Sequence, residues 1–406
     1  MRTKGTKVMQ YSIFYGMDIF FFTFVDGLKK KGSMDSKGFA GEIAGEWERI
    51  REKIDRMTEA DVDRALAKDR RGVDDFMALV SPAAVPYLER MALLSRRYTQ
   101  ERFGKTIRFY VPLYLTNSCI NHCVYCGFNH ENDIRRIILT EEQILQEVEA
   151  IKAMGDFRHI LLVTAENPRE AGIDYLERAV ELVRPFFASI SVEVQPLTEE
   201  DYRRLAKAGV NAVYCYQETY NRERYKVYHP KGMKSKYDWR LEAFDRMGRA
   251  GMRKIGLGIL IGLEDWRIDV SLMASHLRYL QRNYWKTLYS VSFPRIRPHA
   301  GEGFKPNVVM SDKELAQLIF AFRIFDRDIE MTLSTRESPS FRDPLTSLGI
   351  TSLSAGSKTD PGGYTVFRNE LEQWEINDAR SPAEVADAVR AQGYDVVWKD
   401  WDLSLQ

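Results

Sequence analysis

The chain's 406 residues can bury a large core, as one domain or two modest ones. A formal net charge of +1 excludes a strong global field toward nucleic acid or anionic membrane, and basic pairs such as Arg135-Arg136 are too short for a phosphate-binding stripe. No run is apolar for long enough to cross a bilayer, and three of the four cysteines crowd between Cys119 and Cys126, which excludes a spread disulfide framework and suits a reducing, cytoplasmic compartment with a metal site.

The segment 19–25 is the most apolar stretch near the N-terminus. As a signal peptide it is interrupted by Asp18, and no small-x-small cleavage site follows. The other reading makes Met34 the true start and residues 1–33 a non-native or disordered extension. From 34 to 103 the pattern is a helical lead-in. Trp47, Ile50, Ile54 and Met57 recur at helical spacing, Thr58 caps a second helix, and Ser81-Pro82 opens a third.

Apolar runs and amphipathic helices then alternate across residues 104–358. Strands are predicted at 107–115, 159–164, 190–194, 212–216, 255–261, 289–293, 329–333 and 350–353. Among the intervening helices, one starts at the Thr140–Gln143 capping box, one at Thr198, and a long one runs over 266–284. Eight strands in βα order favour a parallel (β/α)8 TIM-type barrel over an open doubly wound sheet, since no glycine-rich dinucleotide fingerprint follows the first strand. Chemistry then belongs at the strand ends. Residues 359–406 form an extension closing the barrel, with one helix over 383–392 and an aromatic tail at 398–405.

Cys119, Cys123 and Cys126, spaced C-x3-C-x2-C, directly follow the first strand. Three thiolates from one loop can bind three corners of a [4Fe–4S] cube, leaving the fourth iron open to an amino-acid-like chelator. The competing reading is structural zinc with His122 completing Cys3His, but His122 adjoins Cys123 and joins the same tetrahedron poorly. Cys215, in an apolar strand, reads as buried and inert.

This cysteine string, with Tyr125 before the last cysteine, resembles the radical S-adenosylmethionine superfamily. The resemblance implies a [4Fe–4S] cluster and S-adenosylmethionine, with Tyr125 near the adenine. It also places Thr164 and Glu166 where the superfamily meets the methionyl amino group, although glycines usual there are replaced. Glu193 and Gln195 after strand three, and Gln217 and Glu218 after strand four, are candidates for the ribose or methionyl part. For each, an ordinary strand-end hydrogen bond is the alternative.

Further strings narrow the resemblance: Val194-Gln195-Pro196-Leu197, Tyr216-Gln217-Glu218-Thr219-Tyr220, Ser292-Phe293-Pro294-Arg295 and Ser334-Thr335-Arg336-Glu337-Ser338. They are similar to the 2-iminoacetate synthase family, radical tyrosine lyases of thiamine thiazole synthesis. The match runs from about Glu42 to the C-terminus.

That resemblance implies cleavage of the Cα–Cβ bond of L-tyrosine to 2-iminoacetate and p-cresol, with S-adenosylmethionine converted to methionine and 5′-deoxyadenosine. It implies a reduced flavodoxin or ferredoxin-type donor and hand-over to thiazole synthase. Arg336 is the candidate clamp for the tyrosine carboxylate, because a guanidinium fork matches a carboxylate in two places. Its alternative is a salt bridge to Glu337 or Glu218. Ser334 and Tyr114 are candidates for amine or ring contacts. The barrel mouth, with or without the tail at 398–405, is the expected docking surface; a tail tucked onto its own barrel is the alternative.

Two other readings stand beside this one. The hydrogenase-maturation tyrosine lyases need a second cysteine-bound cluster near the C-terminus, and this chain has no cysteine after Cys215. Tryptophan lyases and deazaflavin-forming enzymes are more distant relatives. A non-catalytic iron–sulfur scaffold protein is the different-class alternative.

Overall fold

The computed structural model describes residues 38–298, 304–367 and 372–400. The segment 1–33 and the tail after Asp400 lie outside the described residues. Eight parallel strands run in chain order: β1 Thr106–Thr116, β2 His159–Thr164, β3 Ser189–Glu193, β4 Val210–Glu218, β5 Lys254–Ile259, β6 Leu288–Ser292, β7 Glu330–Leu333 and β8 Ser352–Ser354. Each bonds to the next, and β1 bonds to both β2 and β8, which closes the barrel and excludes the open sheet.

Local chemistry explains the helices between strands. Thr140 Oγ1 accepts from Gln143 N at 3.3 Å and Gln143 Oε1 accepts from Thr140 N at 2.9 Å, starting helix Glu141–Met154. Helix Ile173–Val183 turns Leu176, Ala179, Val180 and Val183 onto the barrel, each fully buried large aliphatic contributing roughly 1.5–3 kcal/mol. In the barrel interior, Gly256 and Gly258 on β5 face Tyr214 and Tyr216 on β4. A Cβ at Gly258 would stand 2.4 Å from the Tyr216 ring, so only glycine leaves room for these phenols.

The lead-in forms helices Glu46–Asp55, Glu59–Ala67, Val73–Val80 and Leu88–Phe103, packed against the barrel's outer layer through Phe76 on Phe322 and Phe325. Thr58 caps as its sequence implies. Ser81 does not. Its hydroxyl donates backwards to Ala78 O at 2.8 Å, and Pro82–Tyr87 winds as a 3-10 turn. Pro86 inside that segment lacks the donor an α-helical ladder needs, so the α-helix waits until Leu88.

Of the two placements open to the tail, its described part takes the one against its own barrel. Asp395–Val397 forms a ninth strand, β9, parallel to the first residues of β1, at the end of the barrel opposite the cysteine loop. There β1 starts before its pairing with β2 begins at Val111, leaving an open edge that β9 covers. Trp398 packs edge-on against Phe109 and Phe157, with ring centroids 5.2 and 5.1 Å away. Asp400 pairs with Arg108 and with His159 Nε2, both at 3.0 Å. Residues 398–400 therefore seal the barrel's base rather than rim its mouth; residues 401–405 lie outside the described residues.

Candidate active site

The cysteine loop leaves β1 at Thr116 and is laced to neighbouring strand ends. Ile120 N donates to Glu166 O at 3.1 Å, Val124 N to Tyr228 O at 3.1 Å, and Asn121 Oδ1 accepts from Lys234 N at 2.9 Å. Gly232 makes the last contact possible. Its φ is +92°, and a Cβ there would lie 2.3 Å from Asn121 Oδ1.

Two cavities open at the C-terminal ends of the strands. One, of about 100 Å³, is bordered by Cys119, Cys123, Cys126, Tyr125, Thr164, Glu166 and Glu218. The other, of about 70 Å³, is bordered by Tyr114, Ser334, Thr335 and Ser357. Glu193, Tyr216, Arg336 and Trp374 border both. The barrel thus brings together eleven of the thirteen candidate residues. Gln195 and Gln217 are not brought in. Gln195 lies beyond the end of β3 and donates to Ala171 O at 3.3 Å. Gln217 occupies the irregularity in β4–β5 pairing, fully buried, between the inward-facing Tyr216 and Glu218.

Ion pairs settle most of the charge. Glu166 takes Arg240 and, at 2.8 Å, Asn121 Nδ2. Glu218, whose φ of +70° is the one positive value at a non-glycine among the described residues, takes Lys234 Nζ at 2.7 Å. That backbone costs about 1–3 kcal/mol and turns the carboxylate toward the cavity. Tyr125 OH meets His229 Nε2 at 2.6 Å, and burial holds that imidazole well below its ordinary pKa, so neutral.

Arg336 is different. Neither partner proposed for it takes it: Glu337 pairs with Arg295 and Arg297, and Glu218 with Lys234. Its guanidinium instead lies over the Trp374 ring at 4.4 Å, and Nη1 is buried without a hydrogen-bond partner among the described residues.

The three thiols face one cavity, and burial pushes all of them up, Cys119 to about 11. A bound soft cation is what holds such thiols as thiolates. Among the described residues no three His, Cys, Asp or Glu side chains converge tightly enough for a single ion. His122 turns away from the thiols, its Nδ1 2.7 Å from Glu131, so Cys3His is not assembled. Thr164 Oγ1, buried in the same cavity and without a hydrogen-bond partner among the described residues, is a hydroxyl left for a polar ligand. The donor set fits a cluster with an organic ligand beside it.

Residues 113–272 match the model of the radical SAM superfamily, and 292–395 match that of the biotin and thiamin synthesis associated domain. A 2-iminoacetate synthase of Salmonella typhimurium is 51% identical over 358 residues, which span 88% of this chain and 94% of that protein. The chain belongs to the 2-iminoacetate synthase family. Its Escherichia coli K12 namesake is equally similar, 51% over 89% of this chain and 95% of its own. HydG, a maturase of the [FeFe]-hydrogenase, is 31% identical with a TM-score of 0.81 over 87% of this chain and 81% of its own. Methylornithine synthase, at 20% identity and TM-score 0.66, shares the fold. As in the family at large, the cofactors are a [4Fe–4S] cluster and S-adenosylmethionine.

The sequence did not single out Asn121, Lys234, His229, Arg240, Gln373 or Trp374. The first is visible in hindsight as a polar residue inside the cysteine string. Gln373 and Trp374 sit in the turn-rich extension, where no periodicity marks a contact with the site.

Proposed function

We propose that this chain is a radical S-adenosylmethionine lyase that cleaves the Cα–Cβ bond of L-tyrosine, giving 2-iminoacetate and p-cresol. One observation carries the reading: a cavity lined by three thiols meets, across a shared wall, a cavity whose guanidinium has no ion partner among the described residues. The first suits the cluster and cofactor, the second an amino acid carboxylate. When bound, the cluster and S-adenosylmethionine supply a primary carbon radical that removes a hydrogen atom from the substrate.

The chain's own residues do the rest. Cys119, Cys123 and Cys126 hold the cluster. Tyr125, clamped by His229 and stacked on Trp374 with planes 15° apart, forms a flat wall for the adenine. Thr164 and Glu218 offer polar atoms to the ribose or methionyl part, and Glu166 fixes Arg240 and Asn121 behind them. Arg336 clamps the substrate carboxylate, with Ser334 and Tyr114 against its amine and ring. Tyr110, Tyr214 and Tyr216 stand between these two cavities and a third, of about 120 Å³, nearer the barrel base.

A reduced flavodoxin or ferredoxin-type protein is the proposed donor, and thiazole synthase the proposed recipient, because 2-iminoacetate hydrolyses in water. Among the described residues no helix is long and apolar enough to cross a membrane, and we place the protein in the cytoplasm. Anaerobic incubation of the reconstituted protein with L-tyrosine, S-adenosylmethionine and dithionite tests the reading. p-Cresol and 5′-deoxyadenosine should appear together; an iron–sulfur scaffold would give neither.

A further inference from the structure

Glu193 ends β3 on the wall that the two cavities share, where Arg336 is the other charged residue. Its carboxylate forms no hydrogen bond or ion pair among the described residues, although every other carboxylate bordering the two cavities, save Glu375 near the rim, has one. The groups facing it come from several elements. Arg336 follows β7, Glu218 ends β4, Lys234 and Arg240 follow β4, and the phenols of Tyr114, Tyr110, Tyr214 and Tyr216 stand on β1 and β4. Lys234 is committed to Glu218 and Arg240 to Glu166. A half-buried carboxylate without a partner is costly and persists where a ligand supplies one.

An amino acid arrives with its nitrogen as an ammonium group. If Arg336 holds the carboxylate, that nitrogen is two bonds from the carboxylate carbon, which keeps it on the same shared wall. An ammonium nitrogen carries no lone pair, so loss of a hydrogen atom from it would leave a cationic nitrogen beside a guanidinium. Prior loss of a proton leaves a neutral amine, whose lone pair favours breaking the Cα–Cβ bond. A base is needed on this wall.

We propose that Glu193 is that catalytic base, its carboxylate taking one proton from the substrate's α-ammonium group while Arg336 holds the substrate's carboxylate. The N–H bond breaks with its electron pair remaining on nitrogen, and an O–H bond forms on Glu193; nothing is oxidised or reduced. The inference rests on the reading of the second cavity as an amino acid site. Burial, opposed by Arg336 and reinforced by Glu218, pushes the Glu193 carboxyl up to about 7, so a large fraction is ionised at neutral pH and ready to accept. Substrate binding helps further. A carboxylate on Arg336 cancels the charge that favours ionised Glu193, raising its proton affinity as the ammonium arrives.

The test uses anaerobically reconstituted holoenzyme, with wild type, Glu193→Gln and Glu193→Asp compared between pH 6 and 9. Wild-type kcat/KM for p-cresol formation should fall below about pH 7 with the slope of one proton. Glu193→Gln should keep its cluster spectrum and tyrosine-independent 5′-deoxyadenosine formation, yet lose p-cresol by about 10²–10⁴-fold. Glu193→Asp should retain turnover with its acid limb displaced. p-Cresol formation by Glu193→Gln within about threefold of wild type, well short of what a lost base costs, would overturn the proposal. So would an unmoved pH profile in Glu193→Asp, or loss of S-adenosylmethionine cleavage without tyrosine, which would make Glu193 a cofactor ligand. Absence of p-cresol from the wild type would instead sink the tyrosine lyase reading itself.

Discussion

The Tyr114 hydroxyl donates to Gln373 Oε1 at 2.9 Å, and the amide nitrogen of the same glutamine lies 3.6 Å from Cys126 Sγ. A residue of the C-terminal extension thus touches a cluster ligand with one end and the second cavity's wall with the other. An N–H donor to a thiolate stabilises the more negative, reduced state of a cluster.

Gln373→Leu should therefore keep its cluster but lower the cluster's reduction potential, read by an EPR-monitored redox titration. An unchanged potential would leave Gln373 as a packing residue only.

This contact shows where legibility ended. The eight strands could be read because each is a short apolar run between capping signals, and those signals depend on neighbours in sequence. The cysteines could be read because one loop supplies all three. The charge pairing was not legible: that Glu337 is taken by Arg295 and Arg297, leaving Arg336 open, depends on strand ends that meet only when the barrel closes. Nor was β9. Its three residues fall below the length at which alternation is a signal, and what recruits them is the open edge at the base of β1.

Cys119→Ala, Cys123→Ala and Cys126→Ala should each lose most of the cluster iron and all p-cresol formation, since three thiolates hold the cube. Cys215→Ala should keep both, because its thiol sits in the wall beside Arg240 Nη1 at 3.5 Å. Iron content and visible absorption after reconstitution decide it, and cluster loss in Cys215→Ala alone would reverse the assignment.

The barrel base carries a pH dependence. Arg108 and Lys254 draw the Glu330 carboxyl down to about 2 against the desolvation that would raise it, and His159 and Arg108 hold Asp400 below the usual range. Burial lowers His159 itself. A depressed carboxylate contributes stability that is present above its unfolded pKa of about 4 and lost as pH falls toward the folded one. A depressed histidine acts in the same direction below about 6.5, since the unfolded chain takes up the proton first. Acid should therefore loosen the sealed base. Glu330→Gln, which strands Lys254 and leaves Arg108 with Asp400 alone, should lose roughly 3 kcal/mol at pH 7 and show a flatter acid limb in urea melts followed by circular dichroism. Identical limbs in variant and wild type would remove Glu330 from this account.

Arg336 offers the sharpest separation of cofactor from substrate. Its guanidinium makes no hydrogen bond to a cysteine among the described residues; it rests on Trp374, which stacks on Tyr125, and borders both cavities. Removing it should leave the cluster spectrum and tyrosine-independent 5′-deoxyadenosine formation near wild type. Losing one buried charged contact costs about 3–5 kcal/mol, hence two to three or more orders of magnitude in kcat/KM for tyrosine. Arg336→Lys keeps a charge but neither the planar fork nor the same stacking on the indole, and should fall between the two. Because Arg336 also favours ionised Glu193, the residual activity of Arg336→Ala should show its acid limb moved to higher pH. The measurement is p-cresol against pH for the three proteins. Near-normal tyrosine turnover in Arg336→Ala would remove this residue from the active site.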